Sequence, residues 1–290
     1  MSWTMRPYSI RLAMAAMYLA LVSCTPLLAN AVPTTHVQAE LGSVVTSIQP
    51  GTSFWVVLHL RMPAGWHTYW QNPGDAGLAT AMHWLLPAGF AAGDMVWPYP
   101  QRLPVGPLMN YGYEGAVSLL TQITAPADLP PGQQVTLRAE TTWVACAKVC
   151  VPEAATLELR LPVSPDKPQD DARWQAVFTE VQPLLPSAAP WKVVFTEDQE
   201  TLTLAVAGPD VAASPITDAT FFPLAYGIID HAAAQQFQMT EQGLRLVLRR
   251  GTLDSTGLPH IEGVLVLREK RDSASRVQAF TVSALPARAL

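Results

Sequence analysis

The chain has 290 residues, 49% of them hydrophobic and only 14% charged, with a formal net charge of −5. That balance excludes a disordered chain for the bulk of the sequence, and without a basic excess it excludes nucleic-acid binding through phosphate neutralisation. Only three cysteines are present, so thiol chemistry is confined to three positions.

Residues 1–31 read as an export signal peptide. Arg6 and Arg11 form the positive region, and the apolar run from Leu12 to Val22 forms the core. Ala29-Asn30-Ala31 has the small-x-small form of a cleavage site before Val32, while Leu21-Val22-Ser23-Cys24 also fits a lipoprotein box that would leave Cys24 as a lipidated N-terminus. Either cleavage places the mature chain in the periplasm or outside the cell. Beyond residue 31 no uninterrupted apolar run nears the ~20 residues of a membrane helix, so a lipid on Cys24 is the sole membrane attachment expected.

From His36 to Leu161 short alternating runs are separated by Pro and Gly. Strands are expected at Val37–Val45, Phe54–Arg61, Trp66–Trp70, Ala81–Leu86, Met95–Trp97 and Ala116–Ile123, and in the runs Val135–Ala139 and Ala155–Leu159. Phe54–Arg61 is apolar on both of its faces, as in a central strand covered on each side. This count and spacing predict a β-sandwich over residues 32–165. Pro100–Asn110 has three prolines and no period, and reads as a long surface loop.

Residues 166–188 read as a linker and short helix, with Trp174, Val177, Phe178 and Val181 at helical spacing behind a cap at Asp170 or Asp171. Residues 189–290 resume the strand pattern at Lys192–Phe195, Thr201–Val206, Gln236–Met239, Leu244–Leu248, Val264–Glu269 and Val277–Val282. The fold class is therefore all-β, two sandwich domains joined by a linker and helix. Asp230-His231 is the one suggestive pair in the second domain, and a satisfied histidine is the plainer reading.

Cys146 and Cys150 lie four positions apart between two strand-like runs. In an extended strand that spacing spans roughly 13 Å, whereas a disulfide needs Cα atoms within about 7 Å. A hairpin with Ala147-Lys148-Val149 at its tip would oppose the two. Three readings of such a pair stay open on residue chemistry: a structural disulfide, a redox-active pair closing a very short loop, and capture of copper(I) or zinc with Met or His.

Gly65-Trp66-His67-Thr68-Tyr69-Trp70-Gln71-Asn72-Pro73-Gly74-Asp75-Ala76-Gly77, then Tyr111-Gly112-Tyr113-Glu114-Gly115, then Cys146-x3-Cys150-Val151-Pro152-Glu153 resemble the N-terminal periplasmic region of the DsbD family of thiol:disulfide interchange proteins, in its suppressor-of-copper-sensitivity branch. The resemblance spans about residues 34–290 and is weaker in the second domain, where Phe221-Phe222-Pro223 and Ile229-Asp230-His231 carry it. It implies immunoglobulin-like sandwiches and a redox pair, Cys146 and Cys150, that relays electrons from a membrane module to periplasmic thioredoxin-fold proteins. It implies that the Pro100–Asn110 segment is a cap, with Leu103, Val105, Leu108 and Met109 covering sulfur. It also implies that His67 and Tyr69, on one face of their strand, lie beside the pair, where a protonated His67 would favour thiolate. Cys150 is then the sulfur that joins the partner, and Cys146 resolves.

No metal and no organic cofactor are expected. Family members usually continue into a membrane module, so a separate membrane electron donor is expected here. The cap segment lacks the carboxylate found near the pair in better-known members, leaving Asp75, Asp94 and Glu114 as the nearest acids. The alternative is a non-enzymatic periplasmic binding or assembly module with a structural disulfide, related to copper handling.

Overall fold

The computed structural model describes residues 32–253, 258–271 and 274–287. The expected leader and Cys24 lie outside them. Among the described residues the first domain contains β1 (Val32–Pro33), β2 (Gln38–Ser43), β3 (Ser53–Arg61), β4 (His67–Gly74), β5 (Ala81–Leu85), β6 (Ala91–Val96), β7 (Gln101–Val105), β8 (Leu108–Glu114), β9 (Ala116–Thr124), β10 (Gln134–Cys146) and β11 (Cys150–Pro162). They form two sheets, β1-β2-β3-β9-β6 and β11-β10-β4-β8-β7, with β5 also paired to β10.

The alternation of β3 shows why the sheets face each other. Phe54, Val56, Leu58 and Leu60 enter the core between the sheets, while Val57 turns outward beneath Trp174 and Val181. Those two residues belong to α1 (Ala172–Val181), whose N-cap Asp171 accepts hydrogen bonds from the backbone N–H groups of Arg173 and Trp174, both at 3.1 Å. The helix thus lies on the first sandwich, and β3 is buried on both faces as its sequence predicts.

The second domain runs through β12 (Ser187–Ala188), β13 (Lys192–Glu197), β14 (Thr201–Ala207), α2 (Pro209–Ala213), β15 (Ile216–Pro223), β16 (Gln236–Thr240), β17 (Gly243–Arg249), β18 (Ile261–Arg271) and β19 (Ala274–Pro286). Its order is β15-β18-β19-β13-β14-β17-β16. β19 pairs antiparallel with β18 up to Ala284 and then parallel with β13 at Leu285 and Pro286. That change of partner lets one strand path fold into two layers, and Phe221, Leu265 and Phe280 of one layer share a core with Leu202, Leu204 and Leu246 of the other. The all-β, two-sandwich class is as expected; β15 has no counterpart among the strands that the sequence predicts. No helix among the described residues is long and apolar enough to cross a membrane.

The Pro100–Asn110 segment is not the loop that its prolines suggest. Gln101–Val105 pairs with Leu108–Gly112 as a hairpin turning at Gly106-Pro107. Gly106 has φ 60°, the first central position of a two-residue turn that Gly favours. β7 is the last strand of its sheet, and an edge strand tolerates Pro104 without an N–H to donate.

The two domains are in contact. Phe222, Val264 and Ala279 pack into the core of the first domain. Asn72 Nδ2 donates to the Pro223 carbonyl at 2.8 Å. Arg102 donates to the carbonyls of His231 and Ala233 at 2.8 and 3.0 Å, and His231 Nδ1 meets the Tyr111 hydroxyl at 3.0 Å.

Candidate functional site

β10 and β11 pair without a break from Gln134 opposite Pro162 to Cys146 opposite Cys150. Ala147, Lys148 and Val149 form the tip, where the Ala147 N–H donates to the Val149 carbonyl at 3.1 Å. The sulfurs are joined as a disulfide with Cα atoms 4.1 Å apart. Period-2 alternation sends Leu137, Ala139, Trp143 and Ala145 into the main core. Val144 and Cys146 take the opposite face and form a small cluster with Tyr69. The disulfide therefore sits on the outer face of its sheet. Its two halves differ: Cys146 is 2% exposed, whereas Cys150 is exposed.

Register extends this face across four strands. Cys150 opposes Cys146, Cys146 opposes His67, and His67 opposes Glu114, so the four side chains form one crosswise row. Tyr69 follows two residues after His67, on the same face. Its hydroxyl lies 2.7 Å from Cys146 Sγ and 3.5 Å from Cys150 Sγ; a disulfide has no proton, so the tyrosine is the donor. The His67 ring stands edge-on to the Tyr69 ring with centroids 5.2 Å apart.

Gly77 closes the other side, because a Cβ there would lie 2.2 Å from Tyr69 Cζ. At φ 101° its backbone is also one that side-chain-bearing residues rarely adopt. Burial raises the Tyr69 phenol above its ordinary value. For His67, burial lowers the pKa below 6.5, against a smaller upward pull from Glu114. Burial thus favours the neutral imidazole over the protonated form that would favour thiolate. His67 Nε2 is buried without a hydrogen-bond partner.

The four apolar cap residues separate. Leu103 is buried at 7% exposure and Val105 is 38% exposed; both line, with His67 and Ala147, a cleft of about 410 Å³ beside the cysteine hairpin. Leu108 is 41% exposed near the turn, and Met109 packs against the main core. Of the three acids, Glu114 joins the row and lines the cleft. Asp75 instead accepts from the Met109 N–H at 2.7 Å, bracing the cap hairpin, and Asp94 lies on β6 in the other sheet.

One constellation escapes sequence reasoning. The Glu153 carboxylate, three residues beyond Cys150, accepts from Thr34 Oγ1 at 2.6 Å, His36 N–H at 2.8 Å and Trp143 Nε1 at 3.1 Å, and lies 2.9 Å from His36 Nδ1. Burial works to raise its pKa, but the bonds from Thr34, Trp143 and His36 outweigh it and hold the carboxyl below its usual range. The His36 ring stacks on Trp66 with centroids 3.9 Å apart. The only signal in the sequence was Glu153's place in the cysteine motif, since its donors Thr34 and His36 come from the far end of the domain.

Residues 37–162 match the family model described as "Thiol:disulfide interchange protein DsbD, N-terminal". No curated protein matches the chain. Among solved structures the N-terminal periplasmic domain of ScsB from Proteus mirabilis is similar at 17% identity and a TM-score of 0.59, over 87% of this chain and 94% of that one. At that identity the likeness establishes the fold, and it takes in both sandwiches. A yeast GGA1 GAE domain (12% identity, TM-score 0.26, 44% of this chain and 94% of that one) and the E. coli chaperone DraB (10%, 0.23, 85% and 97%) lie too far away to bear on the fold. The family match covers the cysteine hairpin, the Tyr69 strand and the cap hairpin together, so residues 37–162 are similar to the N-terminal thiol:disulfide interchange domain of the DsbD family and carry one cysteine pair.

Proposed function

We propose that this protein relays electrons in the periplasm, taking them from a membrane reductase and passing them to thioredoxin-fold proteins, by cycling Cys146 and Cys150 between disulfide and dithiol. The asymmetry of the pair carries this reading. Cys150 is exposed and Cys146 is sealed at 2% exposure, so a partner's thiolate can attack the first and not the second. Exchange then runs through a mixed disulfide on Cys150, with Cys146 as the resolving thiol. The disulfide closes a loop of three intervening residues on the outer face of the sheet, so it contributes little to the fold. Opening it leaves the sandwich core in place.

The test is trapping. Cys146→Ser should accumulate a mixed disulfide through Cys150 with a thioredoxin-fold protein bearing a C-x-x-C pair, and Cys150→Ser should accumulate much less. Equal trapping by both variants, or trapping through Cys146 alone, would overturn the assignment. Titration against a thiol redox buffer separates the relay from a structural disulfide in a binding module, since structural disulfides lie below about −300 mV.

A further inference from the structure

We infer that the Tyr69 hydroxyl is a catalytic group of the exchange: it donates a hydrogen bond to Cys146 Sγ and stabilises the thiolate that leaves when a partner attacks Cys150. This rests on the exchange reading above and names the residue that makes it fast. A partner thiolate forms a bond to Cys150 Sγ while the Cys146–Cys150 bond breaks, and the electron pair of that bond moves to Cys146 Sγ. The partner's second thiol then attacks its own mixed-disulfide sulfur and releases Cys150. The partner dithiol is oxidised to a disulfide, and the pair takes up two electrons and two protons.

The leaving sulfur is in the worst place for a charge. Cys146 is 2% exposed and packs against Val144 and Tyr69, and a buried anion without a donor is strongly disfavoured. Tyr69 meets that need at 2.7 Å from Cys146 Sγ, and at 3.5 Å it is also within reach of Cys150 Sγ. Gly77 and the His67 ring hold the phenol from two sides, so the donor is in position before the bond breaks. Burial keeps the phenol protonated at neutral pH, as a hydrogen-bond donor must be. Of the other charged or titratable groups near the pair, burial favours the neutral form of His67, while Glu114, at the end of the row, and Lys148, at the tip, are exposed. Run in reverse, the same hydrogen bond holds Cys146 as thiolate, ready to resolve a mixed disulfide.

The experiment measures reduction of the oxidised chain by excess dithiothreitol and by a reduced C-x-x-C thioredoxin-fold protein, quenched by acid and alkylation. Y69F should react about ten- to a hundredfold more slowly with both, the range for losing a hydrogen bond to a charged group. In a Cys150→Ser background the Cys146 thiol, followed by thiolate absorbance, should titrate at higher pH when Y69F is added than when Tyr69 is kept. A packing role alone would leave that titration unmoved. Should Y69F fail to fold, uniform replacement of tyrosine by the more acidic 3-fluorotyrosine keeps the shape and should accelerate exchange. An unchanged Y69F rate, an unmoved Cys146 titration or an unresponsive fluorinated protein would overturn the inference while leaving the relay standing. A native protein that resists both reductants would overturn the relay itself, and the inference with it.

Discussion

Gly77 leaves the room that the Tyr69 ring occupies. A methyl group there would strike the phenol ring and occupy a left-handed backbone conformation, a strain of about 1–3 kcal/mol. Gly77→Ala should therefore slow exchange toward the Y69F rate and lower stability by about that amount, as read by kinetics and urea unfolding. A variant that loses stability but keeps its rate would show that the ring can shift without moving the oxygen. The alternation of Trp66–Trp70 was enough to put His67 and Tyr69 on one face, because side-chain direction in a strand depends only on parity. The charge state of His67 was not legible, since it depends on burial by other strands. The need for Gly77 is not legible in its own surroundings in the sequence, because the reason for it is a ring eight residues upstream.

Elements were legible where a single strand carried its own evidence. β3 and the runs Val135–Ala139 and Ala155–Leu159 are strand-like in the sequence, and the structure extends the last two into β10 and β11 and pairs all three strands in register. The cap hairpin was misread because prolines signal loops, whereas at a sheet edge they cost no ladder bond. Its form divides the four apolar residues into different duties. Leu103→Ser, at the buried position, should raise the alkylation rate of reduced Cys146 severalfold, by admitting water and reagent to the cleft. The double variant Val105→Ser, Leu108→Ser should leave that rate near native and instead slow exchange with a folded partner, which meets the exposed turn. Mass spectrometry of alkylated peptides separates the outcomes; identical effects on both measurements would mean that the hairpin acts as a single lid.

At the scale of the molecule, the second domain grips the first through the strands that bear the site. Arg102 on β7 and Tyr111 on β8 oppose each other in register, and both bond to His231. None of this was legible in the sequence, where Arg102 and His231 stand 129 residues apart. Histidine burial also sets a pH dependence. Burial is the leading cause lowering the pKa of His59, His67 and His231 below 6.5. The unfolded chain therefore binds protons that the folded one does not. Stability is complete above about pH 6.5 and falls as the pH drops through that value toward the folded pKa values. Thermal midpoints should decline from about pH 7 to about pH 5, before carboxylates such as Glu153 begin to protonate. A midpoint flat across that window would mean that the three rings gain solvent or partners on protonation.

The placement of the disulfide on the outside of its sheet has a consequence for how such a protein can change over generations. A phenol oxygen, an imidazole and two sulfurs share one small face, while the residues that hold the sandwich together point the other way. Substitutions on that face can retune reactivity or partner preference without repacking the interior, so chemical divergence and structural upkeep proceed under separate constraints.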